Sequence, residues 1–445
     1  MILVNNTMYN KTLFAFIFLV IVGILLGQAY PATARVYIDI NSPYLRKIPT
    51  AIPDFKETGG EANLQLRQDL TGIMRNTLSY SGLFNVLDPG SFLTSPEDGL
   101  AAIRFENWRA VGSELLVTGG VKAVNKSISL ELRLFDTFGG RLIVGKRYSG
   151  EVSDGRRMIL KFCNEIMYHL TGSKGIFDTQ IAFISTTTGN KEVYISDFDG
   201  YNPRQFTKNK CITLSPSWSY DSQWIAYMSY LRKKPEIFIK SINGDKSGDI
   251  ISFKGLNSSP VWVPKELLIS ATLTVDGNSE IYLLTPAGKI VKKLTSNWGI
   301  DTSPSWSPDG KKFAFVSDRA GCPQIYIKEL ETDKEYRLTY SGNYNTSPEW
   351  SPRGDYIAYC GVTSGHFQIF AIGADGRGPY QLTHNPGNSE SPTWSPDGTL
   401  IAFSSTKQGS SRIYVMAANG ADQRLLLTLP GEQTFPRWSR AAVLR

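Results

Sequence analysis

The chain has 445 residues, 41% of them hydrophobic, 12% aromatic and 20% charged, with a formal net charge of +7. That length accommodates two or three domains, and the composition is that of an ordinary globular protein, not a disordered or fibrous one. Basic residues are spread among acidic ones without charge runs. This reads as a solvated surface of mixed sign and argues against nucleic-acid binding.

In chain order, Lys11 precedes an uninterrupted apolar run from Leu13 to Leu26. Fourteen residues are too few to span a bilayer comfortably, but they suit the core of a signal peptide. Ala32-Thr33-Ala34 places small residues at the cleavage-defining positions, so residues 1–34 read as a leader and Arg35 as the first mature residue. Met8 is a second candidate initiator, and an uncleaved anchor is the alternative. No cysteine follows the run, so a lipid-anchored N-terminus is not expected. Removal of the leader would take only Lys11 and leave +6.

Residues 35–172 predict a small α/β domain of helices on a sheet. Val36, Ile38 and Ile40 alternate in Arg35–Ile40, as in a strand. Asn63 to Ser81 places Leu66, Leu70, Ile73 and Thr77 on one helical face and ends at Gly82. Short strands are expected at Phe84–Leu87 and Leu115–Thr118, with a helix containing Phe105 and Trp108 between them. Ile128, Leu130, Leu132 and Leu134 alternate with polar residues, and Phe138-Gly139-Gly140 turns that strand into Arg141–Val152. A final amphipathic helix covers Arg156 to Leu170, with Cys163 on its apolar face.

From residue 175 to 445 the chain repeats. Trp218, Trp262, Trp306, Trp350, Trp394 and Trp438 are each separated by 44 residues, and each has a proline two places before it. A period of that length is the signature of a β-propeller with one four-stranded sheet per repeat. In the Trp306 repeat the four strands read Ser303–Ser307, Phe313–Ser317, Gln324–Ile327 and Tyr336–Thr339, with Pro308-Asp309-Gly310 as the first turn. That turn recurs as Pro396-Asp397-Gly398 and is eroded at Val263-Pro264-Lys265. The aligned series of apolar and aromatic residues steps back one period to Ile181 and Tyr194, where no tryptophan precedes them. The first repeat therefore lacks an opening strand and the last consists of little else, so the segment around Trp438 should close a six-bladed ring.

Catalytic signatures do not emerge. The three histidines, His169, His366 and His384, fit no metal-ligand spacing, and nucleophile elbow, P-loop and dinucleotide fingerprints are missing. Asp197-Phe198-Asp199-Gly200 begins like a calcium loop, but Lys208 stands where the last carboxylate is required, so it reads as a turn. Cys163, Cys211, Cys322 and Cys360 lack metal spacing. A bridge between Cys322 and Cys360, in adjacent repeats, stays open. A non-enzymatic protein without cofactor or metal is expected.

The junction Leu170-Thr171-Gly172-Ser173-Lys174-Gly175-Ile176-Phe177-Asp178-Thr179-Gln180, the segment Ser196–Asn202 and the SPxWSPDG repeats resemble the TolB family, periplasmic components of the Tol–Pal cell-envelope system. The resemblance implies a monomeric adaptor that reaches membranes only through its partners and serves outer-membrane integrity and cell division. It implies binding of the lipoprotein Pal at one mouth of the propeller and of TolA through the mature N-terminal segment, Arg35, Val36, Tyr37, Ile38 and Asp39. Five and four places before the tryptophans stand Asn257 and Ser258, Asp301 and Thr302, Asn345 and Thr346, Ser389 and Glu390, and Gln433 and Thr434. These should ring the mouth as short polar side chains. The resemblance puts Pal on the loops Asn257, Ser258, Ser259 and Asp301, Thr302, Ser303. The alternative reading is a secreted propeller that binds or cleaves a carbohydrate or peptide in its channel.

Overall fold

A computed structural model describes residues 46–93, 103–244 and 247–440. The expected leader, the strand Arg35–Ile40 and the candidate TolA residues Arg35–Asp39 lie outside the described residues.

The N-terminal part is a sheet with helices on both faces. Its strands are β1 (Ile48–Ala51), β2 (Lys56–Gly60), β3 (Phe84–Val86), β4 (Leu115–Val124), β5 (Ser127–Asp136) and β6 (Arg141–Glu151). The order is β3-β1-β4-β5-β6, with β2 paired to β4. Helix α1 (Leu64–Tyr80) starts where Asn63 Oδ1 accepts the Leu66 N–H at 2.9 Å, and Gly82 takes the positive φ beyond its end. Leu70, Met74 and Leu78 of α1 bury against Ile159, Phe162, Cys163 and Ile166 of α3 (Gly155–Thr171) and the inward residues of β5. Helix α2 (Phe105–Ala110) covers the opposite face, where Trp108 meets Ala51, Leu116 and Phe135. Strand β4 outruns its expected end at Thr118 because Gly119 and Gly120 mask its pattern. A Cβ on Gly119 would come within 2.4 Å of the Phe55 ring, so the glycine is there for close packing, not to break the strand.

Six four-stranded antiparallel meanders follow, a six-bladed β-propeller. In the Trp306 blade the strands are Asp301–Trp306, Lys312–Ser317, Gln324–Glu329 and Glu335–Arg337. Its first turn is held by Asp309, whose Oδ1 accepts from Ser307 Oγ at 2.6 Å and the Lys311 N–H at 3.0 Å, while Gly310 has φ 73°. All six repeat tryptophans are 5% exposed or less. Trp306 lies in a cluster that joins Val263, Ile281 and Leu294 of the preceding blade to Phe313 and Phe315 of its own, so the tryptophans are inter-blade packing residues.

The ring closes as the incomplete first and last repeats predict. Gln433–Trp438 pairs with Gln180–Ser185, with Trp438 opposite Ile181 and Gln433 opposite Ser185. The N-terminal part joins the propeller at the turn read from Asp197-Phe198-Asp199-Gly200. Gly200 N–H closes that turn on Asp197 O at 2.9 Å. Tyr80 donates its hydroxyl to Phe198 O at 2.9 Å, and Arg156 reaches both Asp199 carboxylate oxygens at 2.7 and 2.9 Å. Arg156 also stacks over Tyr201, and Arg424 over Tyr80, each 4.1 Å from the ring centroid.

Candidate functional site: the channel and its mouths

The innermost strands are Thr213–Trp218, Asn257–Trp262, Asp301–Trp306, Asn345–Trp350, Ser389–Trp394 and Gln433–Trp438. Each shifts register against its neighbour between the fourth and first residues before the tryptophan, a β-bulge repeated six times. The residue three before each tryptophan has a left-handed backbone: Ser215, Ser259, Ser303, Ser347, Ser391 and Phe435, with φ between 48° and 56°. Such values cost a non-glycine residue energy. Here the bulge re-aims Ser215, Ser259, Ser303, Ser347 and Phe435 into the channel lining.

The ring of paired polar side chains is only half as expected. The first member of each pair is buried: Asn257, Asp301 and Ser389 at 0% exposed and Asn345 at 2%. Gln433 is buried too. These side chains turn back to fasten their own entry loops instead of facing the mouth. Asn257 Nδ2 donates to Pro235 O, Phe253 O and Gly255 O, and its Oδ1 accepts the Phe253 N–H at 2.8 Å. Asn345 Nδ2 donates to Gln324 Oε1 and Ser341 O, both at 2.8 Å. Ser389 Oγ donates to Ser405 Oγ at 3.2 Å. Asp301 pairs with Arg319 at 2.9 Å, and burial still pushes its carboxyl above the usual range. The second members, Ser258, Thr302, Thr346 and Glu390, are half-buried, as are Ser259 and Ser303. Thr302 Oγ1 accepts from Thr272 Oγ1 of the neighbouring blade at 3.2 Å. Burial also raises the Glu390 carboxyl.

A second set of fasteners escaped sequence reasoning. Thr295 Oγ1 donates to Glu280 Oε2 at 2.7 Å, Thr339 Oγ1 to Gln324 Oε1 at 2.8 Å and Thr383 Oγ1 to Gln368 Oε1 at 2.7 Å. Glu280 Oε1 also accepts the Asn297 N–H at 2.9 Å. The signal was present: a Glu or Gln stands 18 places after the Trp262, Trp306 and Trp350 positions, and a threonine 33 places after. Held this way, the entry loops expose large side chains that hydrophilic-loop reasoning passes over. Trp298 is 75% exposed and Tyr340 76%. Ile300 and Tyr344 are exposed close to them in sequence, and Ile212 is exposed on the entry loop before Thr213–Trp218. All precede an innermost strand, and the alternating strand directions put them on one face of the ring.

Deeper in, the channel holds a chamber of about 170 Å³ lined by Trp262, Glu349, Arg437 and Arg440 together with bulge serines. Desolvation raises the Glu349 carboxyl, against the opposing pull of Arg437 and Arg440. The chamber continues into a cavity of about 290 Å³ at the other mouth, collared by Pro308, Pro352 and Pro396 with Tyr220 and Lys265. All four cysteines are free thiols, so Cys322 and Cys360 form no bridge. Cys163 is fully buried and faces Met74 Sδ at 3.3 Å, and burial pushes its thiol up. Among the described residues no helix is long and apolar enough to cross a membrane.

The ring matches a family model described as the TolB beta propeller domain over residues 167–442, and residues 36–143 match the TolB amino-terminal domain. The chain belongs to the TolB family. Among its relatives, the Tol-Pal system protein TolB of Desulfosudis oleivorans is 46% identical over 194 residues, 43% of this chain and 44% of that protein. The Geobacter sulfurreducens protein of the same description is 38% identical over 208 residues, 46% of this chain and 48% of that one. The chain thus spans about half the length of the curated relatives it matches. The crystal structure of TolB from Acinetobacter baumannii superposes with a TM-score of 0.77 at 26% identity, covering 88% of this chain and 97% of that one. The TolB fold therefore extends over both the N-terminal sheet and the propeller.

Proposed function

We propose that this chain is the periplasmic adaptor of a Tol–Pal envelope system, acting by binding and not by catalysis. Pal docks on the mouth formed by the entry loops. TolA is captured by the N-terminal segment Arg35–Asp39. The protein works as a monomer, touches membranes only through these partners, and serves outer-membrane integrity and division.

The observation that carries this reading is the rim itself. Trp298 and Tyr340 stand three-quarters exposed on loops whose backbones are pinned by Glu280, Gln324 and Asn345. Rigid aromatic anchors ordered before contact are what a protein partner rewards, because little freedom is lost on docking. Beside them Ser258, Thr302 and Thr346 supply half-buried hydroxyls, and Ser259 and Ser303 add theirs inside the channel. The buried Asn257, Asp301, Asn345 and Ser389 shape these loops from behind.

Calorimetry with purified Pal tests the docking. Trp298→Ala should weaken binding by about tenfold to a hundredfold, the range of a hot-spot aromatic. Thr302→Ile should weaken it too, whereas Tyr220→Ala at the opposite mouth should not. Wild-type affinity in Trp298→Ala and Thr302→Ile would move Pal to another face. Deleting Arg35–Asp39 should abolish TolA capture and leave Pal binding intact.

A further inference from the structure

The sequence mixes its charges, but the ring sorts them. The turn between the second and third strands of a blade returns to the face of the entry loops, where Tyr230 N–H donates to Ile212 O at 3.0 Å and Thr274 N–H to Leu256 O at 3.2 Å. Two loops per blade thus surround this mouth. Four consecutive loops, residues 186–191, 206–212, 230–235 and 252–256, hold seven lysines and arginines and no aspartate or glutamate. The other loops of this face hold only Arg319 and Lys407 against Asp276, Asp318 and Glu432. All seven basic side chains are exposed, and Lys191, Lys208, Lys210, Lys233 and Lys254 form no ion pair among the described residues. Arg232 and Lys234 lean on Glu236 at 3.8 and 3.3 Å, and that carboxylate is buried.

These loops are joined to one another and to the aromatic rim. Thr213 N–H donates to Lys191 O at 3.0 Å, Asn209 Nδ2 to Ser229 Oγ at 3.1 Å and Lys234 Nζ to Ser252 Oγ at 2.8 Å. Beyond them Leu256 N–H donates to Thr274 Oγ1 at 2.8 Å and Asn278 Nδ2 to Gly299 O at 2.7 Å, so the basic arc runs into the loop of Trp298. Glu192 Oε1 accepts the Lys210 N–H at 2.6 Å, which ties the neighbouring buried carboxylate to the loop backbone. Like charges held along one arc of a mouth make a directional field that steers an oppositely charged partner. A uniformly anionic surface such as a lipid bilayer would meet the exposed Asp276 and Glu432 on the rest of the same face. A protein with its carboxylates on one side meets only the arc. Orientation matters here, because Ser215, Ser259, Ser303 and Ser347 repeat round the channel and the lining by itself scarcely distinguishes one rotation of a partner from the next. We propose that the arc receives a carboxylate-rich face of the protein docked on this mouth and so sets that partner's rotation about the channel axis. The inference rests on the docking of Pal at the entry loops and specifies the chemistry that Pal presents to residues 186–256.

The test is the association rate of purified Pal with the full protein, followed by surface plasmon resonance at about 20 and about 300 mM sodium chloride. The rate should fall by at least about tenfold at the higher salt, while dissociation changes by less than about twofold. Lys208→Glu combined with Lys254→Glu should lower the low-salt association rate by about tenfold and flatten its salt dependence. Lys265 collars the opposite mouth and Lys289 precedes the outermost strand Ile290–Lys293 on that side. Lys265→Glu combined with Lys289→Glu makes the same change in net charge there and should leave the rate within about twofold of wild type. A salt-independent rate, an unaltered rate in the first variant or an equal loss in the second would overturn the proposal while Pal docking stands. No binding of Pal to the wild-type protein at low salt would instead overturn the docking and the proposal together. Sedimentation with phosphatidylglycerol vesicles is the companion measurement. Vesicle binding that Lys208→Glu with Lys254→Glu abolishes, with Pal association unchanged, would assign the arc to a lipid surface and overturn the proposal.

Discussion

Trp438 donates its indole N–H to Thr179 Oγ1 at 2.8 Å, joining two residues 259 positions apart. Thr179 precedes the strand Gln180–Ser185 that pairs with the Trp438 strand, so this bond fastens the seam where the ring closes. Thr179 in turn donates to Ile176 O at 2.6 Å, which anchors the seam to the segment entering the propeller. Truncating Trp438 to alanine should therefore cost about 3–5 kcal/mol, the usual loss for a buried large aromatic. Thr179→Val should cost about 1–3 kcal/mol by leaving the buried indole N–H unpaired. Urea unfolding checks both, and midpoints equal to wild type would mean the seam contributes nothing to stability.

The bulge serines give a second expectation, in which two substitutions at one residue move in opposite directions. Ser303 has φ 54°, where a side chain costs about 1–2 kcal/mol and a β-branched one more. Ser303→Gly should leave stability equal to or above wild type, and Ser303→Val should lower it by at least about 1 kcal/mol. Thermal melts of the two variants decide it. If valine is tolerated as well as glycine, the bulge is not where the strain resides. The same logic means that a valine at Ser259 would perturb the strand as well as the mouth, so Thr302→Ile is the cleaner probe of docking.

The ring was legible because its determinants are large and periodic. Trp306 and Pro304 sit at fixed offsets, and the missing strand before Ile181 told how the circle closes. The site was less legible, for reasons visible in particular residues. Asn257 and Ser258 look alike as short polar neighbours, yet one turns back under its loop and the other looks outward. That difference follows from strand alternation, since both residues pair in register with Leu273 and Thr272 before the bulge begins, and it becomes legible only once the strand start at Asn257 is known. Trp298 carries no repeat signal, because only one of the entry loops has it. Arg156 and Asp199 meet across 43 residues of chain, between the last helix of the N-terminal part and a turn of the first blade, a distance over which no local pattern operates. Conversely β1 was missed because it is four residues long and contains Pro49.

Asn257 offers a test of the fastening role that is independent of any partner. Its side chain satisfies three carbonyls and one N–H within the Trp262 entry loop and the preceding blade. Asn257→Ala should cost about 1–3 kcal/mol through those unpaired groups. Local opening should also raise hydrogen exchange at the Phe253 amide. Protection at Phe253 equal to wild type would show that the loop holds its shape without the asparagine.

The last expectation concerns pH and Glu349. Burial in the channel raises its carboxyl above the usual glutamate range, with Arg437 and Arg440 pulling the other way. A folded state with a raised acid pKa binds the proton more tightly than the unfolded chain does. Between the unfolded value of about 4.3 and the folded one, the folded state therefore carries more protons, and stability falls as pH rises through that window. Glu349→Gln removes the titrating group but keeps the backbone carbonyl that accepts the Trp394 indole N–H at 3.0 Å. The stability difference between variant and wild type should thus be smallest near pH 4 and grow in the variant's favour towards pH 7. Taking that difference cancels the titration of the remaining carboxylates, which both proteins share. Urea unfolding at each pH unit across that range provides the measurement. A difference that stays constant with pH would mean the Glu349 carboxylate is solvated as fully in the folded protein as in the unfolded chain.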